Sequence, residues 1–250
     1  MTKRLSSARA RLAIILSTAI VVLVPAAASA QIVQVHSGPS DARQTFNVNF
    51  GYFMLKGLDS RVEDDVLLND LQNAEPLLFE VNDFNGFTFG GEYLFGINRY
   101  LEAGAGVNYY QRTVPSVFAN VTHDGGAEIA QDLKLRTLPM PFTVRFLPIG
   151  RGSIEPYIGA GFVVIPWKYS EVGEFVDFDG TIFPARYVDD GTAVGPTVLG
   201  GVRGLAGNFV VGGEVRWQKA EADGLRGAGF LGDKLDLGGW TTNFTFGFRF

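Results

Sequence analysis

Between residues 44 and 250 the chain alternates apolar and polar side chains with period two, again and again, in stretches of about ten residues. Period two is the repeat of a β-strand, whose successive side chains point to opposite faces. The last stretch is the clearest. Trp240, Thr242, Phe244, Phe246, Phe248 and Phe250 share one face, and Thr241, Asn243, Thr245, Gly247 and Arg249 share the other. The same rule predicts strands over 46–54, 86–95, 101–112, 133–146, 156–169, 192–205 and 209–219, which makes eight with the C-terminal one. In the fourth, Leu133 and Leu135 are odd-numbered, whereas Leu138, Met140, Phe142, Val144 and Phe146 are even-numbered, so a β-bulge is expected near Pro139.

The connections sort by length. Those near 96–100, 148–155 and 206–208 are short, and those near 56–83, 115–131, 170–190 and 221–236 are long, in strict alternation. The segments Leu101–Val107, Pro156–Phe162 and Phe209–Val215 align without gaps, each opening a strand after a short turn, as expected of a repeated hairpin. Together these features predict an all-β fold, an eight-stranded antiparallel up-and-down transmembrane β-barrel. The faces follow from volume. A narrow eight-stranded cylinder has no room for the aromatic set, while Gly, Asn, Thr and a few charges fill it, so the aromatics point outward into lipid. A lipocalin-like soluble binder would exchange the faces.

Composition adds the compartment. Lys3, Arg4, Arg9 and Arg11 precede an apolar run from Leu12 to Val24, and Ala28-Ser29-Ala30 supplies small residues for cleavage. Residues 1–30 are therefore expected to be a signal peptide, 31–43 an N-terminal periplasmic segment, and 44–250 the barrel. The apolar run is shorter than the roughly 20 residues a spanning helix needs. Removing the four basic residues of the leader leaves 17 against 26 acidic ones, a net charge of −9. With no basic patch, nucleic acid is not an expected partner. The absence of Cys excludes a disulfide-stapled domain and a thiolate zinc site.

The ending Asn243-Phe244-Thr245-Phe246-Gly247-Phe248-Arg249-Phe250 resembles the C-terminal signal of outer-membrane proteins, with its aromatic at the last position. With the leader and eight strands, the chain resembles the small outer-membrane β-barrel family that includes the OmpA transmembrane domain, OmpX, OmpW and the opacity proteins. The resemblance implies a Gram-negative outer membrane, with its lipids and lipopolysaccharide as surroundings. It also implies recognition by the barrel-assembly machinery through Phe244, Phe246, Phe248 and Phe250.

Outward aromatics near strand ends, Tyr100, Tyr109, Trp167, Tyr169, Trp217 and Trp240, are candidates for the interfacial girdles. The inward set includes Glu92, Glu102, Arg112, Arg145, Arg203, Glu214, Arg216 and Arg249. Charges in a narrow lumen are costly unless paired, so a mutually satisfying network that plugs the barrel is preferred to a gated ion path.

Enzymatic chemistry finds little footing. The only histidines are His36 and His123, and His123 has no partner motif beyond a nearby Ser116, so no catalytic residue is assigned. The acids of the first and third long loops read as solvated charge rather than a metal site, although divalent bridging to anionic headgroups stays open. No cofactor is expected. Val66, Leu67, Leu68 and Leu71 among the acids of the first loop suggest a short amphipathic helix, either a lid over the barrel mouth or a rim element. The preferred role is a membrane scaffold or surface-interaction protein. The alternatives are transport of small hydrophobic solutes, as in the OmpW type, with a lateral opening near the proline-interrupted fourth strand, and a lipid A-modifying hydrolase.

Overall fold

A computed structural model describes residues 44–250, apart from Phe178. The expected leader and periplasmic segment lie outside the described residues.

The described residues form twelve strands: β1 (Gln44–Leu55), β2 (Leu77–Leu78), β3 (Gly86–Gly96), β4 (Leu101–Thr122), β5 (Glu128–Thr137), β6 (Met140–Phe146), β7 (Ile154–Val176), β8 (Ile182–Ala206), β9 (Phe209–Gln218), β10 (Glu221–Asp223), β11 (Lys234–Asp236) and β12 (Gly239–Arg249). Each long strand pairs antiparallel with its sequence neighbour, and β12 returns to β1 from Thr45↔Arg249 to Leu55↔Gly239, closing a barrel of eight staves. The fourth stave is β5 and β6 together, and β2 with the β10–β11 hairpin belong to the loops. Closure leaves no unpaired edge, which is the condition for strands to cross hydrocarbon.

The outer surface carries a belt of large exposed apolar side chains drawn from all eight staves, among them Phe46, Phe89, Val107, Phe142, Phe162, Val198, Phe209 and Phe244, with Phe87 85% exposed. A soluble monomer does not present an apolar band around its whole circumference. The belt faces lipid, and the lipocalin-like arrangement is excluded. Beyond it on one side the outward positions turn polar, as at Lys134, Arg136 and Asp190. The membrane-spanning part of β7 therefore ends near Pro166.

Two long connections differ from expectation. The regions 115–131 and 170–190 are continuations of strand, because β4 pairs with β5 out to Thr122↔Glu128 and β7 with β8 out to Val176↔Ile182. Tight turns at Gly126 (φ 75) and Gly180 (φ 84) close these hairpins, in a conformation only glycine adopts without cost. The barrel wall thus continues well past the membrane.

No bulge occurs at Pro139. The register of β4 runs unbroken from Tyr110↔Thr137 to Ala105↔Phe142, and that of β7 from Trp167↔Thr137 to Val164↔Met140. Odd-numbered residues face inward on both sides of the prolines, from Leu133 and Leu135 through Thr143 and Arg145. The apparent change of phase in the hydrophobic pattern has another cause. In the membrane the apolar face is the outer one, and above the membrane it is the inner one, because there the barrel encloses an apolar core and faces water outside. The wall is also sealed at the prolines, where Asn108 N donates to Pro139 O at 2.9 Å and Leu138 N to Pro166 O at 2.9 Å.

The first long loop fills that upper interior. It carries 3-10 turns over Leu58–Ser60 and Val81–Phe84 and a helix, α1 (Val66–Gln72). Asp65 caps α1 by accepting a hydrogen bond from Leu68 N at 3.2 Å. Val66 and Leu67 are fully buried against Leu133, Leu135, Trp167 and Tyr169 of the wall and against Phe230 and Leu235 of the fourth loop. The helix is a plug inside the outer storey, not a rim element.

Candidate functional site

The lower storey of the lumen is ionic. The strands that carry Phe and Val into lipid carry Glu, Arg and Tyr inward at alternate positions, and closure brings these together in the lumen. Arg145 Nη2 lies 2.6 Å from Glu92 and 2.7 Å from Glu214, and Arg216 Nη2 lies 2.7 Å from Glu214 and 3.3 Å from Glu92. Beneath this quartet Arg203 bridges Glu102 and Glu155 at 2.6 Å each, Arg249 makes a two-pronged contact with Glu155 at 2.7 and 2.8 Å, and Arg151 reaches Glu102 at 3.0 Å.

Tyr157 joins the two groups. Its hydroxyl donates to Glu214 at 3.2 Å, and its ring lies 4.7 Å from the Arg145 guanidinium and 5.6 Å from that of Arg203. Gly201 makes room for it, since a Cβ there would stand 2.6 Å from the Tyr157 hydroxyl. Thr45 of β1 accepts from Arg249 Nε at 3.2 Å, so all eight staves contribute a side chain. Four acids balance four fully enclosed arginines, which satisfies the requirement that buried charge be paired.

Glu92, Glu102, Arg145, Arg203, Glu214, Arg216 and Arg249 all lie in this layer. Arg112 does not. It is exposed at the height of the first loop, where its Nε donates to Asp83 O at 2.8 Å. Glu155 and Tyr157 were not singled out from sequence. Their signal is parity, since both fall on the odd, inward face of β7.

Parity also corrects two girdle residues. Trp167 and Tyr169 share the odd face of β7 with Glu155 and point inward, 6% and 0% exposed, into the apolar core around α1. Tyr100 and Trp240 are exposed on the outer surface, Tyr109 and Trp217 half-buried there. Phe244, Phe246, Phe248 and Phe250 form an exposed row along and just past β12.

The upper storey holds a second polar feature that the sequence did not single out. Asp70 stands one turn after Val66 on the buried face of α1, and Glu171 continues the inward face of β7 beyond Tyr169. Burial pushes Asp70 well above its ordinary value, and the neighbouring Glu171 carboxyl adds to the rise. Burial likewise raises Glu171, to about 7, against the lowering influence of Tyr169 and Asp70 beside it.

The loops are locked together nearby. Arg61 grips Asp65 at 2.7 and 2.8 Å, Asp65 also accepts from Asp236 N at 2.6 Å, and Lys56 reaches Asp236 at 2.8 Å. Ser116 donates to Leu78 O at 3.3 Å and His123 contacts Glu174 at 2.9 Å, so the structure gives each a different partner.

Among solved structures, the outer membrane protein OprG from Pseudomonas aeruginosa matches at TM-score 0.50 and 13% identity, over 84% of this chain and 96% of that one. Neisserial surface protein A matches at TM-score 0.44 and 12% identity, over 83% and 97%. No family model and no curated protein matches the sequence. The likeness to OprG is one of fold.

Proposed function

We propose that this chain, whose fold is that of the small outer-membrane β-barrels, is a sealed, non-enzymatic barrel that holds a folded cap on the outer face of the membrane and works as a scaffold or surface-interaction protein. The carrying observation is the ionic layer, to which every stave contributes and in which the arginines and glutamates spend their charge on one another across the lumen. A path for solutes would have to break several of these contacts at once. The apolar core above it closes the route a second time.

The reading places the chain in the outer membrane with lipid and lipopolysaccharide around its belt, and gives the row ending at Phe250 the role of the signal read by the barrel-assembly machinery. Transport of small hydrophobic solutes would need a lateral opening, and the hydrogen bonds at Pro139 and Pro166 support the sealed reading at the point where one was expected. A lipid hydrolase would need Ser116 and His123 together, and their separate partners support a non-enzymatic role.

Two measurements test this. Outer-membrane fractions run on SDS gels with and without boiling should show the faster, unboiled form of a closed barrel. The purified protein in planar bilayers should then give no channel events. Steady conductance by the wild-type chain would refute the seal.

A further inference from the structure

Above the apolar core, between α1, the β4–β5 hairpin and the β7–β8 hairpin, lies a cavity of about 260 Å³. Its floor is polar and its largest wall is aromatic, with Asn73, Glu75 and Asp177 also on the lining. Asp70, Gln131 and Glu171, exposed by 1%, 4% and 5%, form the floor, and one side-chain oxygen on each lacks a hydrogen-bond partner. The walls are Leu77, Phe118, Phe175, Phe183 and Tyr187, with Phe175 packed edge-on to Tyr187 at 4.9 Å between ring centroids. Exposed Ala74 and Leu231 stand at the side that faces solvent.

This floor is acidic. Two carboxyl groups and an amide converge on it, the charged groups that act on Asp70 are Glu171 and Asp65, both acids, and the Tyr169 hydroxyl lies beside Glu171. The nearby Arg61 is committed to Asp65. Buried oxygens without donors cost free energy, and two buried carboxyls side by side favour the protonated form, as their raised pKa values show, unless a cation with several N–H donors lies between them. Gln131 is the independent sign of a ligand: a neutral amide, 4% exposed, it lines the same cavity, and its side-chain oxygen has no hydrogen-bond partner.

We infer that this pocket binds an organic ammonium ion carrying a compact apolar group, with the ammonium among Asp70, Gln131 and Glu171 and the apolar part against the aromatic walls. The inference rests on the proposed function only in placing the cap outside the membrane, where such a solute can reach it. Size agrees. A cavity of roughly 150 Å³ accommodates benzene, so one of about 260 Å³ accommodates an arylalkylamine. A protonated amine offers three donors, one for each floor residue, and aromatic faces favour the cation further. A bare calcium ion fits less well, since it takes 6–8 oxygens and, among the described residues, no three Asp, Glu or His side chains are grouped closely enough to hold a metal.

The test uses the full chain in lipid nanodiscs, titrated calorimetrically with 2-phenylethylammonium, with ethylbenzene and 3-phenylpropionate as neutral and anionic partners of similar shape, and with protein-free nanodiscs as blank. The expected result is saturable binding of the ammonium compound alone, weakened at least tenfold in Glu171→Gln and in Asp70→Asn. Heat-modifiable migration shows that each variant is folded. Neutralising an acid in an unfilled site relieves repulsion, so both variants should assemble. Equal binding of ethylbenzene, unchanged affinity in both folded variants, or saturation by calcium chloride in place of the amine would each overturn the inference. Conductance of the same preparation reports separately on the seal, so channel events with intact amine binding would refute the proposed function and leave the pocket standing.

Discussion

Arg145 is the residue whose loss should damage the seal most. It is 1% exposed, sits 2.6 and 2.7 Å from two glutamates, and lies over the Tyr157 ring. Replacement by Ala leaves Glu92 and Glu214 with Arg216 as their remaining guanidinium. Removing one partner of a buried pair costs about 3–5 kcal/mol, because the charge left behind is still desolvated. Arg216 contacts both acids already, one of them at 3.3 Å, which puts the expected loss at the lower end, about 3 kcal/mol. With a urea dependence of about 1–3 kcal/mol per M, the unfolding midpoint should fall by at least about 1 M. Tryptophan fluorescence in micelles, read beside the heat-modifiable gel shift, measures it. The vacated volume admits waters of about 30 Å³ each next to two carboxylates, so the variant should also show small, cation-selective events that the wild type lacks. Arg145→Met keeps most of the volume and should destabilise without conducting. An Arg145→Ala barrel that unfolds at the wild-type midpoint and stays silent would refute the claim that this layer both stabilises and closes the lumen.

Other expectations follow from the cap. Burial holds Glu171 at about 7 against an ordinary 4.5, so between these values the folded cap binds more protons than the unfolded one and loses stability as pH rises. Below 4.5 both states are protonated and above about 7 the loss is complete, on the order of 3 kcal/mol. Glu171→Gln should reduce this slope in hydrogen exchange of α1 measured from pH 5 to 8, leaving the share of Asp70, which burial also raises, and an unchanged slope would count against Glu171. Arg61→Ala strands the fully buried Asp65 and should cost the cap about 3–5 kcal/mol, seen as rapid proteolysis of the first loop while the gel shift of the barrel is retained. Equal protection of that loop in both proteins would count against the Arg61–Asp65 lock. His123→Ala should leave lipid A unchanged by mass spectrometry, because its ring pairs with a surface glutamate and not with a serine, and altered lipid A would revive the hydrolase reading.

The eight staves, their order and the direction of the aromatic row were legible because period-two alternation is a local property, and in lipid it has a fixed sense. The ionic layer was legible for the same reason. Charged residues recur on the face opposite the Phe and Val positions, and closure of the ring had to bring them together. The reading failed where one face met two solvents. Leu133 and Leu135 suggest a bulge, and Trp167 and Tyr169 a girdle, because residue type alone assigns an apolar side chain to lipid at every height.

What the amino-acid sequence determined by itself was the strand period, the antiparallel succession and a lumen lined with charge of both signs, since each follows from residue type and spacing along the strands. The tertiary structure alone decided how far the wall rises above the membrane, and hence that the greasy face turns inward there around α1. It alone set Asp70 of the first loop beside Glu171 of β7, a hundred residues apart. No local pattern encodes that meeting, because it depends on a helix folded down into a barrel whose height is fixed by two other hairpins.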